Sequence, residues 1–216
     1  MCSGALSPGL EAAALAPRQW SHASIPQSVT AQEVEQILAL YSGPSPTAWR
    51  NRAILTLLAR LGLRAHALVS LSLDDINWQE AHLVIRAGTT HHERGLPVLQ
   101  DVGATLAEDL CWGRPATTSR ALFLHGKAPF RPFSASSSLS YLAARALVQA
   151  GGTRCARRGA HVLRHSAASP MVNCGASFKA VADVLGHQSL HTTGIYAKLD
   201  LAALSAVALP WLGEAQ

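Results

Sequence analysis

The chain has 216 residues, of which 49% are hydrophobic and 14% charged, so it holds enough apolar material for one sizeable core. It contains no run of about 18 apolar residues and no basic region ahead of an apolar leader, which predicts a cytoplasmic protein without a membrane span. The four scattered cysteines form no CxxC pair, which indicates reduced thiols rather than disulfides or a zinc site.

The charge is unevenly distributed along the chain. The formal net charge is +5, yet no Asp or Glu lies between Asp109 and Asp183, a span that holds ten basic residues. A long block of one sign attracts a polyanion such as nucleic acid. Taken alone, the block is explained equally well by a solvated basic face.

The first half of the chain predicts an arm followed by two helices. Residues 1–24 are rich in Ala, Ser, Pro and Gly, which is typical of a poorly ordered arm. Thr30 and Glu33 stand at capping-box spacing and predict a helix that Gly43 and the following proline end. A second helix is predicted from about residue 47 to 61, with Gly62 as its left-handed cap.

The remaining pattern predicts a small sheet and then more helices. After a short helix containing Leu68 and Leu71, apolar segments at Ile76, 83–85 and 96–98 favour a small antiparallel sheet. Helical spacing then covers about 101–112, 135–150, 161–174, 177–185 and 189–198, with Ser177 and Ser189 as N-caps and Gly175 and Gly186 closing the preceding helices. We therefore expect a mainly α fold with a small antiparallel β-sheet (α+β), as one domain over 25–216 with a tail helix at about 200–212.

Residues able to carry chemistry concentrate between Gly159 and Asp200. His161 and Arg164 lie three apart, so on a helix they share a face. His187 follows a helix end, and Tyr196 comes nine residues later. Each of these residues alone is better explained as an ordinary packed or surface side chain. His161 and His165 stand at zinc-binding spacing, but no Glu follows His161, so no metal or other cofactor is predicted.

Taken together, these residues resemble a known set. An arginine in LGLR (Arg64), then HxxR, then LGH, then a tyrosine closely resembles the catalytic core of the tyrosine recombinase (phage integrase) family, across about forty residues and more weakly from Thr30 to Trp211. The resemblance implies a site-specific recombinase or integrase that cleaves and rejoins strands of double-stranded DNA through a 3′-phosphotyrosyl intermediate, as a homo-oligomer (dimer or tetramer) of bacterial, phage or mobile-element origin. The implied catalytic residues are Arg64, His161, Arg164, His187 and Tyr196, and the expected DNA contacts are Arg86, His91, His92, Arg157, Arg158 and Lys198.

The sequence also departs from the family pattern. The lysine that members carry in a strand turn falls at about Gly88, with His91, His92 and Arg86 as the available substitutes. Ala67 stands where an acidic residue usually follows the first arginine, and Pro170 interrupts the helix after HxxR, where it is expected to cost about 3 kcal/mol or kink the helix. About thirty residues precede the first helix, too few for the family's amino-terminal domain.

These departures leave alternatives open. A DNA-binding remnant with little or no activity is the main one, and a hydrolase or metal enzyme is disfavoured because no convincing ligand set is present. For an active site of this kind, the sequence predicts that Arg164→Ala abolishes cleavage and leaves the fold intact. The apolar tail from Leu201 to Leu212 docks either on its own domain or on a neighbouring protomer.

Overall fold

The computed structural model describes residues 29–86, 93–151 and 159–186. Within these ranges the chain forms seven α-helices and one three-stranded antiparallel sheet, which confirms the predicted mainly helical α+β fold. None of the helices described is long and apolar enough to cross a membrane. The predicted arm, the helix at 189–198 and the tail helix lie outside the described residues. The helices are α1 (Ala31–Ala39), α2 (Pro46–Arg60), α3 (Ala65–Ser70), α4 (Gln100–Glu108), α5 (Ser136–Gln149), α6 (Gly159–Asn173) and α7 (Phe178–Leu185).

Local capping chemistry fixes most helix ends. The capping box of α1 is complete: Thr30 Oγ1 accepts from the Glu33 amide at 3.2 Å, and a Glu33 carboxylate oxygen accepts from the Thr30 amide at 2.7 Å. Ser45 caps α2 and Ser177 caps α7 in the same way, through their hydroxyls. Gly62, Gly175 and Gly186 all have positive φ, as predicted for left-handed residues at helix ends.

Helix α2 lies at the centre of the hydrophobic core. It packs against α1, α4, α5 and α6. Ile54, Leu55, Leu57 and Leu58 are all fully buried, although they point in several directions around the helix axis. A helix that is apolar around most of its circumference is stable only when neighbours cover it on several sides. The position of α2 therefore fixes where Gly62 and Arg64, which directly follow it, lie in the fold.

The sheet is small and packs one face on the core. Its strands are β1 (Ile76–Asn77), β2 (His82–Ile85) and β3 (Arg94–Pro97), in the order β1-β2-β3. Leu83 of β2 pairs with Ile76 on one side and Leu96 on the other, and all three side chains are buried. At the far end of β2, Ile85 pairs with Arg94, so the first residue of β3 lies at the sheet end next to the 87–92 connection.

Helix α6 runs without a break through Pro170. It spans Gly159–Asn173 as one element with Pro170 inside it, and the expected cost or kink stays a prediction. Pro170 lies in the last turn, where only one internal hydrogen bond is lost, and its own carbonyl still accepts from the Cys174 amide at 2.9 Å. His161 and Arg164 come before Pro170 and occupy regular turns of the helix. The proline therefore does not separate the two residues from each other.

Candidate active site

Arg64 reaches a carbonyl that is 122 residues away in the sequence. It is the N-cap residue of α3, two residues past the left-handed Gly62, and its Nη1 donates to the carbonyl of Gly186 at 2.5 Å. The guanidinium is half-buried, and burial lowers the pKa of Arg64. The sequence offers no acidic side chain at position 67 to orient it. In the structure, a backbone carbonyl at the end of α7 holds this arginine.

Arg164 is almost entirely enclosed. Only 4% of it is exposed, and its Nη1 donates to the carbonyl of Gly62 at 2.5 Å while its Nη2 donates to the carbonyl of Leu185 at 2.8 Å. Leu185 is the last residue of α7, so its carbonyl lacks an intrahelical partner and carries partial negative charge, whereas Gly62 lies just past the end of α2. Arg164 therefore joins the end of α2 to the end of α7. The expectation that Arg164→Ala leaves the fold intact stays a prediction, and these bonds argue that the variant also loses stability, because it leaves both carbonyls without this donor.

The two arginines meet at one turn of the chain. Leu185 accepts from Arg164, and the next residue, Gly186, accepts from Arg64. Gly186 has φ +65° and is the left-handed C-cap of α7, where the helix ends. The structure thus brings together the two arginines that the sequence predicted, at the residue that directly precedes His187.

His161 contacts a second histidine one helical turn away. It is exposed, and its Nε2 lies 2.8 Å from Nε2 of His165, with the rings edge to face at a centroid distance of 4.2 Å. In a hydrogen bond of this kind one ring nitrogen donates and the other accepts, and the tautomers decide which. Sequence analysis treated His165 only as a possible zinc ligand and did not predict its contact with His161. Within the described ranges, no group of three or more His, Cys, Asp or Glu side chains is arranged to hold a metal ion.

A third arginine, Arg94 on β3, lies at the same turn. A methyl group built on Gly186 would lie 1.8 Å from Nη1 and 2.5 Å from Cζ of Arg94, so this guanidinium packs directly against the glycine. Burial lowers the pKa of Arg94, and the neighbouring charge of Arg64 lowers it further. Sequence analysis missed this residue. A basic side chain next to the apolar pairs of a small sheet was the pattern that would have revealed it.

Of the predicted DNA-contacting residues, the structure describes Arg86, and the others lie outside the described ranges. Arg86 is mostly exposed, and its Nε donates to Oδ1 of the buried Asp75 at 2.5 Å, so part of its guanidinium is already engaged in an ion pair. The remaining predicted site residues fall outside the described ranges: His91, His92, Arg157, Arg158, His187, Tyr196 and Lys198.

A separate cavity contains a buried carboxylate. It has a volume of about 240 Å³ and is lined by Asp109, Arg50 and Arg114, among others, and by none of the arginines at Gly186. Asp109 is 2% exposed, and its Oδ1 has no hydrogen-bond partner among the described residues. Burial raises the pKa of Asp109 to about 6, against the lowering effect of the two arginines. We therefore expect this carboxyl to make the stability of the fold depend on pH.

Comparison with known proteins identifies the family. A family model described as the phage integrase family matches residues 27–202, which include every candidate site residue named above. The chain belongs to the phage integrase family. This membership confirms the resemblance drawn from Arg64, HxxR, LGH and Tyr196.

Two relatives are described as candidate integrases or recombinases. It is 40% identical over 213 residues to the candidate integrase/recombinase y4rA of Sinorhizobium fredii (strain NBRC 101917 / NGR234), covering 99% of this chain and 51% of y4rA. It is 34% identical over 181 residues to y4gC of the same strain, a candidate integrase/recombinase, covering 82% of this chain and 93% of y4gC. The chain therefore spans about half the length of one relative and nearly all of the other.

A solved structure shows the same fold. The chain is similar to a structure of the site-specific recombinase XerH bound to palindromic difH substrate, described as a post-cleavage complex, with a TM-score of 0.70 and 23% identity. The match covers 85% of this chain and 52% of XerH. At this level of identity the likeness concerns the fold, which is the mainly helical one with a small sheet described above.

Proposed function

We propose that this chain acts in site-specific DNA recombination as the strand-transfer domain, cleaving and rejoining DNA through a 3′-phosphotyrosyl intermediate. One observation carries the proposal. Arg64 and Arg164, which lie 100 residues apart in the sequence, converge on the Leu185–Gly186 turn that leads into His187. Two guanidiniums with fixed donor geometry suit the two non-bridging oxygens of a phosphodiester and the charge that develops on them during substitution.

In the proposed reaction, Tyr196 supplies the nucleophile. Its phenol oxygen forms a bond to phosphorus as the bond from phosphorus to the 5′-oxygen breaks, which leaves a 3′-phosphotyrosyl link and a free 5′-hydroxyl. The phenol, with an ordinary pKa of about 10, gives its proton to a base, and the leaving oxygen takes one up. Rejoining is the reverse attack by the 5′-hydroxyl of a partner strand. The covalent link conserves the energy of the phosphodiester, so ATP is not needed.

The remaining residues take supporting roles in this proposal. His161 serves as acid and base, and its contact with His165 gives it a route for proton exchange on the exposed face of α6. His187 donates a hydrogen bond to the scissile phosphate. The flanking duplex is held by contacts from the other predicted DNA-binding residues, which are Arg86, His91, His92, Arg157, Arg158 and Lys198. The similarity in fold to XerH, which in that structure is bound to palindromic difH substrate, supports DNA as the partner, and exchange between two duplexes implies a dimer or tetramer on DNA.

Covalent trapping tests the proposal directly. The full chain is incubated with a pool of end-labelled duplexes of randomised sequence, each carrying a nick that lets the short cleaved fragment diffuse away and so prevents rejoining. We expect a labelled protein–DNA adduct that survives denaturation. Tyr196→Phe should lose the adduct, and Tyr141→Phe is the matched control because Tyr141 is an exposed residue, 71% accessible, on α5. An adduct that persists in Tyr196→Phe would contradict the assignment.

A second outcome would favour the DNA-binding remnant. Two features support that alternative: the absence of the strand-turn lysine at Gly88, and the engagement of Arg64 and Arg164 in bonds that also serve the fold. A remnant binds the labelled duplexes and yields no adduct at any pH. Gly88→Lys then separates a missing acid from a lost site, because restored cleavage would show that only the leaving-group proton was lacking.

A further inference from the structure

Two cations lie against one glycine, and no carboxylate of the described residues pairs with either of them. Arg64 donates to the carbonyl of Gly186, and the guanidinium of Arg94 lies over its Cα. Among the residues that the structure describes, neither arginine forms an ion pair with Asp or Glu, and Nη1 of Arg94 is buried without a hydrogen-bond partner. By contrast, Arg60 and Arg120 both pair with carboxylates at the surface. As far as the described residues go, the Gly186 turn thus concentrates positive charge that no carboxylate neutralises.

Such an arrangement is costly in the free protein. Two like charges side by side repel each other, and a buried donor without an acceptor loses its hydration without recovering a bond. The direction of the pKa of Arg94, lowered by burial and by Arg64, reflects the same cost. If Arg94 served packing alone, an apolar side chain of similar length would fill the same space without losing stability. An anion that enters between the two guanidiniums would offset both penalties at once.

We propose that Arg94 is a further phosphate-binding residue of the strand-transfer site, contacting the scissile phosphate together with Arg64. This inference rests on the proposed function, since it assigns a role within that reaction. A guanidinium hardly deprotonates, so Arg94 supplies charge and hydrogen bonds to the phosphate oxygens and not the proton for the leaving 5′-oxygen. Arg94 therefore supplies the positive charge that the missing strand-turn lysine would provide. The proton that this lysine would donate must come from another group.

The first test needs no DNA cleavage. Inorganic sulfate, a tetrahedral dianion, should raise the Tm of the parent chain, and Arg94→Ala should lose most of that rise. Arg52→Ala is the matched control, because it removes one positive charge from a side chain that pairs with Glu108 at 3.6 Å. Without sulfate, Arg94→Ala should have a Tm equal to or above that of the parent. A lower Tm with an unchanged sulfate response would show that Arg94 serves packing and would overturn the proposal.

The second test uses the trapping assay with two substrates. On a normal phosphodiester, Arg94→Ala should slow adduct formation about 10²- to 10³-fold, the usual effect of removing one oxyanion donor. On a duplex with an uncharged methylphosphonate at the scissile position, the defect should shrink markedly, because less charge needs neutralising. Equal defects on both substrates, or none on either, would overturn the assignment of Arg94 while leaving the proposed function standing. If the parent forms no adduct, the proposed function fails and the sulfate response alone decides whether Arg94 binds an anion.

Discussion

Replacement of Gly62 by alanine tests the contact between the ends of α2 and α7. Gly62 has φ +59°, where an L-residue costs about 1–2 kcal/mol. Its added methyl would also lie 2.6 Å from Cδ2 of Leu185 and 3.2 Å from Cβ of Ala167, inside a fully buried part of the core. Overpacking of this kind costs about 1–3 kcal/mol more. We therefore expect Gly62→Ala to lower the free energy of unfolding by roughly 2–5 kcal/mol.

Gly175→Ala is the matched control for this experiment. Gly175 also has a left-handed backbone, with φ +82°, but an added methyl meets nothing within 4 Å. Urea unfolding of the two variants separates the backbone cost, which they share, from the packing cost, which only Gly62→Ala carries. A Leu185→Ala background should reduce the cost of Gly62→Ala, because the clashing methyl is gone. If the two glycine variants differ by less than about 0.5 kcal/mol, the packing of Leu185 on Gly62 is not as described.

Two further predictions concern α6 and the buried carboxyl. Gly159→Ala places a methyl against the backbone nitrogen of Ala144, so α6 must move away from α5. We expect the free energy of unfolding in urea to fall by at least about 1–3 kcal/mol, and adduct formation to become slower. The control is Gly103→Ala in α4, whose added methyl has its nearest contact at 3.4 Å and which should be neutral or stabilising. For Asp109, a folded pKa of about 6 against 3.8 means that stability is lost as pH rises from about 4 to 6. Asp109→Asn should abolish that loss. Between pH 4 and pH 7, its free energy of unfolding in urea should rise relative to that of the parent by up to about 3 kcal/mol. Equal pH profiles of stability in the two proteins would contradict the raised pKa of Asp109.

The elements that the sequence predicted well are those with local causes. The capping box of Thr30 and Glu33 forms because its partners are three residues apart, and the helix ends at Gly62 and Gly186 follow from the freedom of glycine at positive φ. The identity and spacing of these residues can be read directly from the amino-acid sequence. The convergence of Arg64 and Arg164 on one region was likewise predicted, although only through the resemblance to a family.

The parts that the sequence missed depend on backbone acceptors and on tertiary proximity. The partners of Arg64 and Arg164 described here are carbonyl groups, which every residue carries, so no pattern of side chains marks them. Arg94 belongs to a strand and meets Gly186 only because the sheet end faces the end of α7. The His161–His165 contact could not be predicted, because a spacing of four residues on a helix suits a pair of metal ligands and a hydrogen-bonded pair equally well.

The use of carbonyls instead of carboxylates has a consequence for the proposed chemistry. A carboxylate orients an arginine strongly, but it also cancels its charge and competes with a phosphate for the same donors. The carbonyls of Gly62, Leu185 and Gly186 are neutral, so they fix the direction of the guanidiniums while leaving the full positive charge of Arg64 available to an anion. The same bonds join α2 to α7. The bonds that hold the helices together therefore also hold the positive charge in place for a phosphorane-like transition state. A substitution at Gly62 or Gly186 should change stability and strand transfer in the same direction.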